Sequence, residues 1–367
     1  MKKRIALVLA ALCLPLLAYL CFWPVPLDPA VWEAPAPPAM TGVYAPNQLL
    51  RGATRFELDD GLGPEDIAVD AEGRFYGGLE DGRIVRFEAD GGGHSTFADT
   101  GGRPLGLHFD AAGNLIVADA YKGLLQVDPA GAVTVLAIEA DGVPLGFTDD
   151  LDIGADGTIY FSDASVKFRF HQYKIDGLEH RPNGRLLAYD PATGAVRTLL
   201  EELYFANGVA VSPDQSFVLV NETWKYRIKR YWLQGARAGE AEILIDNLPG
   251  FPDGVSSNGR DTFWVAMASP RNTLVDRLAP YPFLRKMVVR LPEAVQPKPA
   301  HYAFVLGLDG RGRVTHNLQA PSGKPFAHIT SVEEHGGYLY LGSLHETAAA
   351  RIAAPGATNS TDASETP

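Results

Sequence analysis

The sequence predicts an all-β fold, a six-bladed β-propeller preceded by an N-terminal membrane-anchor helix. Two observations predict the propeller: short segments of alternating apolar and polar residues recur, and each is followed by a turn, Gly-containing in five of six, and a second strand. A third observation, an uncharged apolar run near the N-terminus, predicts the helix. The six recurring segments are EDIAVDAEGRFYGG, LGLHFDAAGNLIVAD, DDLDIGADGTIYFSD, NGVAVSPDQSFVLVN, DGVSSNGRDTFWVAM and TSVEEHGGYLYLGS.

The spacing of these segments supports a propeller with six blades. Successive copies begin 40, 44, 58, 46 and 77 residues apart when aligned on Asp66, Gly106, Asp150, Gly208, Gly254 and Ser331. Further strand-like segments such as RIVRFEA and GRLLAYDP lie between the copies. Four short strands at this period are typical of one propeller blade.

The N-terminus reads Met-Lys-Lys-Arg and continues without a charged residue from Ile5 to Trp23. A cleaved signal peptide shares this pattern, but no small-x-small site follows the run. We therefore expect residues 1–23 to form an uncleaved transmembrane anchor. Its basic end should be cytoplasmic and the body extracytoplasmic, on the periplasmic or lumenal side.

The remaining chain divides into three parts. Residues 24–50 are rich in Pro and Ala and are expected to be a spacer, 51–352 the propeller, and 353–367 a disordered tail. Two stretches, 167–183 and 271–300, exceed what a blade needs. The second is apolar, basic and partly helical. It is either an amphipathic helix packed on a blade, or a lid over the channel mouth or a second membrane contact.

Composition excludes several classes of function. The net charge of −12 argues against nucleic acid as a partner. Both cysteines, Cys13 and Cys21, lie in the N-terminal apolar run, so the body has neither a disulfide nor a thiol nucleophile. The sequence also lacks a G-x-S-x-G elbow and a P-loop.

Near-rotational symmetry brings equivalent positions of the blades together at one end of a propeller channel. The residues just before the six alignment points are Glu65, Leu105, Asp149, Asn207, Asp253 and Thr330. Any one of them alone would be an ordinary turn residue. Four of the six carry oxygen ligands, and none is His or Cys, which points to Ca²⁺ ahead of Zn²⁺ or copper.

The alignment points themselves add two acids, Asp66 and Asp150. They follow the first set by one residue, so alternation places them on the opposite face of the strand and deeper in the channel. They either hold a second, structural cation or cap backbone amides. Asp152 in the same FTDDLDI stretch is expected to be an ordinary turn or strand-edge residue.

Several segments in order resemble one family. GRPLGLHFDAAGNLIVADAYKGLL, FTDDLDIGADGTIYFSDAS, FANGVAVSPDQSFVLVNETWKYRIKRYWL and LPGFPDGVSSNGRDTFWVAMASPR resemble the strictosidine synthase-like branch of the six-bladed propellers. That branch includes the adipocyte plasma membrane-associated proteins. Gluconolactonases of the senescence marker protein type and paraoxonases are more distant relatives. The resemblance covers about residues 50–350.

In the hydrolytic relatives, one Ca²⁺ lies at the top of the channel. The resemblance implies ligands from the motifs GPED, FTDD, FANG and FPDG, which are Glu65, Asp149, Asn207 and Asp253. A second Ca²⁺ of the paraoxonases uses acids that correspond to Asp66 and Asp150.

The chain departs from these relatives at four positions. Asp149 stands where Asn is more usual in paraoxonases, and Gly254 where a further Asn ligand would lie. Leu105 replaces the paraoxonase His base, and Thr330 replaces the catalytic Glu of strictosidine synthases.

These observations favour a Ca²⁺-dependent hydrolase of small-molecule lactones or aryl esters. Asp149 or Asp253 would act as base or nucleophile, with His328 and His345 as alternative proton acceptors. A non-catalytic, membrane-anchored binding module with a structural Ca²⁺ is the alternative from another class. Condensation of the strictosidine synthase type is a third reading, which Thr330 disfavours.

Overall fold

A computed structural model describes residues 2–356 of the chain, with the backbone alone for residues 3 and 5–13. It contains six four-stranded antiparallel sheets, which confirms the predicted all-β six-bladed propeller. The strands of the first three blades are β2 (Ile67–Val69), β3 (Phe75–Gly78), β4 (Arg83–Phe87) and β5 (His94–Asp99); β6 (Pro104–Phe109), β7 (Leu115–Asp119), β8 (Gly123–Val127) and β9 (Val133–Ala137); and β12 (Thr148–Ile153), β13 (Ile159–Asp163), β14 (Gly184–Asp190) and β15 (Ala195–Leu203).

The last three blades follow the same order from the axis outwards. They are formed by β16 (Ala206–Val211), β17 (Phe217–Glu222), β18 (Arg227–Trp232) and β19 (Ala241–Ile245); β20 (Gly250–Ser257), β21 (Phe263–Pro270), β22 (Ala303–Leu308) and β23 (Val314–Ala320); and β24 (Ile329–His335), β25 (Tyr338–Ser343), β26 (Ala348–Ala353) and β1 (Thr54–Glu57). A separate hairpin joins β10 (Glu139–Ala140) to β11 (Val143–Pro144).

The N-terminal strand closes the ring. β1 pairs antiparallel with β26, with Phe56 opposite Ala349, so the first strand of the body completes the last blade. The innermost strands then contact one another in a continuous circle, and β24 meets β2. The sequence predicts a propeller over residues 51–352, and in the structure its first strand begins at Thr54 and its last strand ends at Ala353. Residues 357–367 of the predicted tail lie outside the described residues.

Apolar faces of neighbouring blades form the core. β7 and β13 are buried along their whole length, whereas the outer strand β9 is largely exposed. Between the first two blades, for example, Tyr76 packs with Leu107 and Leu125. Burial on both faces explains why the second strand of each blade reads as a continuous apolar run.

A β-bulge interrupts five of the six innermost strands at an equivalent place. The register shifts between Pro104 and Leu107, Thr148 and Leu151, Ala206 and Val209, Pro252 and Val255, and Ile329 and Ser331. A bulge re-aims side chains and is common beside functional sites. The aligned positions of the sequence repeat therefore fall at the bulges.

Close approach of the inner strands explains one glycine of the repeat. A Cβ on Gly208 would lie 2.4 Å from the backbone nitrogen of Val255 in the next blade. Only glycine permits backbones to meet this closely.

Helices cover one end of the channel. They are α2 (Tyr173–Glu179), α3 (Thr273–Leu278) and α4 (Pro282–Arg290), and α1 (Lys2–Phe22) contacts α4. Short 3₁₀ turns occur at Gly42–Tyr44, Phe170–Gln172, Thr223–Lys225, Gly235–Arg237 and Glu293–Val295. Among helices in the described part of the chain, none combines the length and the hydropathy needed to cross a bilayer. The membrane anchor over residues 1–23 stays a prediction.

Residues 24–50, expected to be a spacer, pack along the body. Leu27 and Leu50 are buried, and the Trp32 amide donates to the Ala279 carbonyl at 3.4 Å. The Arg181 guanidinium pairs with Asp28 at 2.7 Å. This segment is a strap across the end of the propeller that carries the helices.

Candidate functional site

An upper cavity of about 210 Å³ lies at the end of the channel beneath the helices. All six residues that precede the alignment points of the repeat line it. Glu65, Asp149, Asn207 and Asp253 are buried there, as are Leu105 and Thr330. The structure therefore brings together the complete set of residues that the sequence repeat identified.

Burial and mutual repulsion govern the three upper carboxylates. Burial raises the pKa of Glu65 well above its usual range, and repulsion from Asp253 and Asp149 raises it further. The pKa of Asp149 is raised for the same two reasons, with Asp253 as its first repelling neighbour. Burial raises the pKa of Asp253 to about 7, against the opposing effect of a hydrogen bond from Asn207. The Asn207 amide donates to Asp253 Oδ1 at 2.6 Å.

The neighbouring Arg103 compensates this negative charge only in part. Its guanidinium lowers the pKa of Glu65, but less than burial and the acidic neighbours raise it. It is buried and donates to the Gly78 carbonyl at 3.0 Å and the Gly63 carbonyl at 3.4 Å. Protons or a bound cation must therefore balance the remaining charge.

The side chains fit a hard cation in their donor chemistry. Three carboxylates and one amide oxygen are ligands that Ca²⁺ prefers. Within residues 2–356, however, no group of three or more His, Cys, Asp or Glu side chains is arranged to hold a metal ion. The donor set therefore matches the predicted site, while its assignment as a metal site stays a prediction.

The walls of the upper cavity are mainly aromatic and apolar. They come from the strap, from the two long excursions and from the blades: Trp32, Phe147, Phe170, Tyr173, Phe205, Trp224, Tyr226 and Phe251. Excursion 167–183 contributes α2, and excursion 271–300 contributes α3 and the residues after α4. Segment 271–300 therefore lies over the mouth of the channel, which is the position that the lid alternative predicts.

Sequence reasoning missed these wall residues because they follow no repeat. Trp32 lies in a Pro-rich stretch, and its ring stacks on His180 with centroids 4.0 Å apart. Burial lowers the pKa of His180 to about 2, so this ring is neutral. His180 also has a φ of 52°, a left-handed conformation that ends α2. No spacing in the sequence indicates these contacts.

Two histidines predicted as alternative proton acceptors also line the upper cavity. The rings of His328 and His345 meet edge to face at 5.5 Å. Burial lowers the pKa of both, and each ring is therefore a neutral base at pH 7. The Nδ1 atom of His328 lies 3.2 Å from the Ala268 carbonyl.

A lower cavity of about 190 Å³ occupies the channel on the other side of the upper residues. Asp66 and Asp150 line it, as their position in the repeat predicts. Asp66 accepts hydrogen bonds from the amides of Ile67 and Leu107, at 2.7 and 2.8 Å. Asp150 accepts from those of Leu151 and Val209, both at 2.8 Å. Each carboxylate thus joins its own blade to the next one.

These contacts are the amide capping that was one of the two expectations for Asp66 and Asp150. Burial, opposed by the amide hydrogen bonds, still raises the pKa of both residues. A second cation at these positions stays a prediction.

The expectation for Asp152 was wrong. It is not an ordinary turn residue, because it lines the lower cavity and bridges two blades as Asp150 does. Its carboxylate accepts from the Ile153 and Val211 amides, both at 2.7 Å. Positions i and i+2 of a strand share a face, and this alternation is the signal that identifies it. By the same rule Glu333, two residues after Ser331, also lines the lower cavity.

Comparisons with known proteins agree with the fold and the motifs. The profile of the Strictosidine synthase family matches residues 149–236, and that of the Strictosidine synthase-like N-terminal family matches residues 42–87. The adipocyte plasma membrane-associated protein of Rattus norvegicus is 36% identical over 364 residues, which cover 93% of this chain and 96% of that protein.

Two solved structures share the fold at low sequence identity. A gluconolactonase from Xanthomonas campestris has a TM-score of 0.60 and 16% identity, covering 90% of this chain and 98% of that one. Regucalcin from Agrobacterium tumefaciens, described as a calcium-binding protein, has a TM-score of 0.57 and 17% identity, covering 81% and 92%. The extent of the match to the rat protein shows the family. The chain belongs to the strictosidine synthase-like family that includes the adipocyte plasma membrane-associated proteins.

Proposed function

We propose that the chain is a Ca²⁺-dependent hydrolase that cleaves lactones or aryl esters in the upper cavity. The observation that carries this proposal is the set of three buried carboxylates and one amide at the base of an apolar cavity. Repulsion among these carboxylates favours a cation that would balance them. Structural neighbours described as a gluconolactonase and as calcium-binding regucalcin support the same reading.

Glu65, Asp149, Asn207 and Asp253 would hold the ion. When bound, Ca²⁺ supplies Lewis-acid polarisation of the substrate carbonyl and stabilises negative charge on its oxygen.

The side chains of the cavity supply the rest of the chemistry. Asp253 would supply the general base, because a bound Ca²⁺ would keep its carboxylate ionised near neutral pH and able to accept a proton. In this role it takes a proton from the attacking water as the water oxygen bonds to the carbonyl carbon. It returns this proton to the ester oxygen when the bond between that oxygen and the carbonyl carbon breaks. The Asn207 amide fixes the orientation of Asp253 Oδ1. Asp149 is the alternative base or nucleophile.

The aromatic walls bind the apolar part of the substrate. Trp224 and Phe251, whose rings meet edge to face at 5.8 Å, line the cavity with Tyr173. An aryl ester or an alkyl lactone matches such walls, and its burial excludes bulk water from the carboxylates. Segments 167–183 and 271–300, which contribute to these walls, would therefore set substrate specificity.

Carbon–carbon condensation of the strictosidine synthase type has less support. Thr330 stands where that chemistry requires a carboxylate, and its hydroxyl donates to the Glu65 carbonyl at 2.7 Å. A non-catalytic, membrane-anchored binding module with a structural Ca²⁺ is the second candidate, because the propeller fold alone does not fix a function.

For localisation, we propose that residues 1–23 anchor the chain in a membrane with the propeller on the extracytoplasmic side. The basic residues before Ile5 and the uncharged run that follows support this orientation. The name of the rat relative, which describes it as associated with the plasma membrane, points the same way.

The test is metal analysis of the purified chain followed by a panel of lactones and aryl esters, with and without a chelator. An enzyme should contain Ca²⁺, lose turnover with the chelator and recover it with added Ca²⁺. Asn207→Ala should abolish turnover in a protein that remains folded. If the metal is retained and no substrate turns over, while its removal only lowers the melting temperature, the binding module is the correct reading.

A further inference from the structure

The helices over the upper cavity expose apolar side chains to solvent. We call the outer surface of segment 271–300 the cap face. Its exposed large apolar residues, with exposed fractions, are Leu274 (53%), Tyr281 (56%), Phe283 (52%), Leu284 (39%) and Val295 (64%). Scattered exposed apolar residues are ordinary, but a concentration of five within 22 residues marks an interaction surface.

Two of the three charged residues of helix α4 face inward, and only Lys286 is half-exposed. Arg285 and Arg290 are both buried, whereas Phe283 and Leu284 point outward. The Arg285 guanidinium donates to the carbonyls of Leu178, at 2.9 Å, and Ala30. A helix that faces water shows the reverse arrangement, with apolar residues inward and charges outward. The inversion is partial, because Val288 is also buried, but two outward apolar residues beside two buried arginines favour an apolar outer environment for α4.

The end of helix α1 lies against the same part of the cap. Arg290 donates to the carbonyls of Leu20 and Trp23, both at 2.7 Å, and the Tyr19 hydroxyl donates to the Arg290 carbonyl at 3.2 Å. Phe22 and Trp23 beside this contact are 81% and 61% exposed. Exposed aromatic side chains therefore continue from α1 towards the cap face.

Charge distinguishes the cap from the rest of the chain. Segment 271–300 contains six basic and two acidic residues, a net charge of +4 in a chain whose total is −12. Three of the six basic side chains are buried, Arg271, Arg285 and Arg290. The basic side chains that reach the outer surface are therefore Arg277, Lys286 and Lys298. The two acids are already paired, Asp276 with Arg271 and Glu293 with Lys174. Basic and aromatic side chains together are typical of a surface that binds anionic lipids.

We propose that the cap face docks on a lipid bilayer containing anionic lipids, so that the upper cavity lies next to the lipid surface. The inner side of the same segment supports this placement, because Val275 and Ala279 line the cavity. An apolar ligand would then pass between bilayer and cavity without crossing water. A protein partner is less favoured, since basic and apolar residues adjoin the end of the N-terminal apolar run. The proposal is independent of the reaction in the cavity.

The test uses the full chain with Cys13 and Cys21 replaced by Ser, reconstituted in vesicles of phosphatidylcholine and phosphatidylserine. A single cysteine, Phe283→Cys, carries a polarity-sensitive fluorophore. The matched control is Val135→Cys on β9, where the native side chain is 56% exposed. At position 283 we expect a blue shift of roughly 10–20 nm, quenching by brominated lipid, and about fivefold less quenching by iodide than at 135.

Replacing phosphatidylserine with phosphatidylcholine should weaken these effects, because the basic residues lose their partners. Equal emission and iodide access at positions 283 and 135 would overturn the proposal. A label at position 283 that is shielded from iodide but not quenched by brominated lipid would also overturn it and assign the face to a protein partner. Shielding that disappears when the protein is diluted in lipid would overturn it as well, and would assign the face to a second copy of the chain. Ester hydrolysis is not a readout, so failure here leaves the proposed function untouched.

Discussion

Asp149 and Asp150 are adjacent in the sequence, yet their carboxylates face different cavities. Asp149 lines the upper cavity with Glu65 and Asp253, whereas Asp150 lines the lower cavity with Asp66. The lower carboxylates accept backbone amides from neighbouring blades at 2.7–2.8 Å. The upper carboxylates are surrounded mainly by one another, by the Asn207 amide and by the apolar walls of the cavity. Asp149 and Asp150 lie in the β-bulge of β12, between Thr148 and Leu151, and this bulge separates the upper carboxylate from the lower one.

The hydrogen-bond partners of a carboxylate distinguish an acid that stabilises the fold from one that is available for function in the same channel. A carboxylate that accepts several backbone amides is satisfied by the fold, and its removal leaves amides without partners. A buried carboxylate that is satisfied mainly by other acids raises the free energy of the fold until a proton or cation arrives. Mutations in the two regions should therefore have opposite consequences.

The largest expected effect is the loss of activity in Asp253→Asn. The amide is isosteric and can keep the hydrogen bond from Asn207, but it removes one negative charge and the general base. We expect turnover of a lactone or aryl ester substrate to fall by about 10²–10³-fold. In chelator, the melting temperature should stay the same or rise, because repulsion with Glu65 and Asp149 is relieved.

Steady-state kinetics and thermal unfolding of the same preparation check both halves of this prediction. Asp66→Asn is the matched control, because it changes the same group in the lower cavity. A melting temperature that drops sharply in Asp253→Asn would show that the upper carboxylate stabilises the fold, and the contrast between the regions would fail.

The second effect is a loss of stability in Asp150→Ala. The change leaves the Leu151 and Val209 amides without their acceptors. We expect the free energy of unfolding to fall by about 2–4 kcal/mol, measured from the shift of the urea midpoint. Turnover per folded molecule should stay near the native value, since the carboxylate faces the lower cavity. An activity loss as large as that of Asp253→Asn, without a stability loss, would contradict this.

The third effect is a pH dependence of stability that originates in the upper cavity. Burial raises the pKa of Asp253 from 3.8 to about 7, so between these values the folded state holds a proton that the unfolded state has lost. The stability that protonated Asp253 contributes is therefore lost as pH rises from about 4 to about 7, and this residue adds no further change above that range. Melting temperatures in chelator should show this decline, and Asp253→Asn should flatten it.

Added Ca²⁺ provides a second measurement in the same experiment. If the ion balances the carboxylates, added Ca²⁺ should raise the melting temperature at pH 8 and have little effect at pH 4, where protons compete. The remaining slope in Asp253→Asn belongs to the other buried acids, including Glu333, whose pKa is also raised by burial. An identical slope in the native chain and the variant would show that Asp253 does not titrate in this range.

The sequence repeat predicted the fold and the upper site because both follow the symmetry of the blades. Glu65, Asp149, Asn207 and Asp253 occupy equivalent places, and one alignment identifies them all. The cavity walls were beyond prediction, since Trp32 and Tyr173 come from a strap and an excursion that repeat nowhere. Asp152 was within reach of strand alternation, but the alternation was applied only to Asp149 and Asp150, and Asp152 was assigned to a turn or strand edge although it lies in β12.

The smallest expected effect is that of Asp152→Asn, which tests whether stabilisation by the bridging acids depends on depth. Asp152 also accepts two amides, but its side chain is 16% exposed and water can reach it. The amide variant keeps one acceptor oxygen and loses the other, so we expect a cost of about 0.5–1.5 kcal/mol. Urea unfolding beside Asp150→Asn, which makes the same change deeper in the channel, gives the comparison. The deeper variant should lose more stability, because water reaches an unpaired amide less readily nearer the middle of the channel. Equal losses would mean that both sites are equally hydrated, and burial would then not explain the ranking.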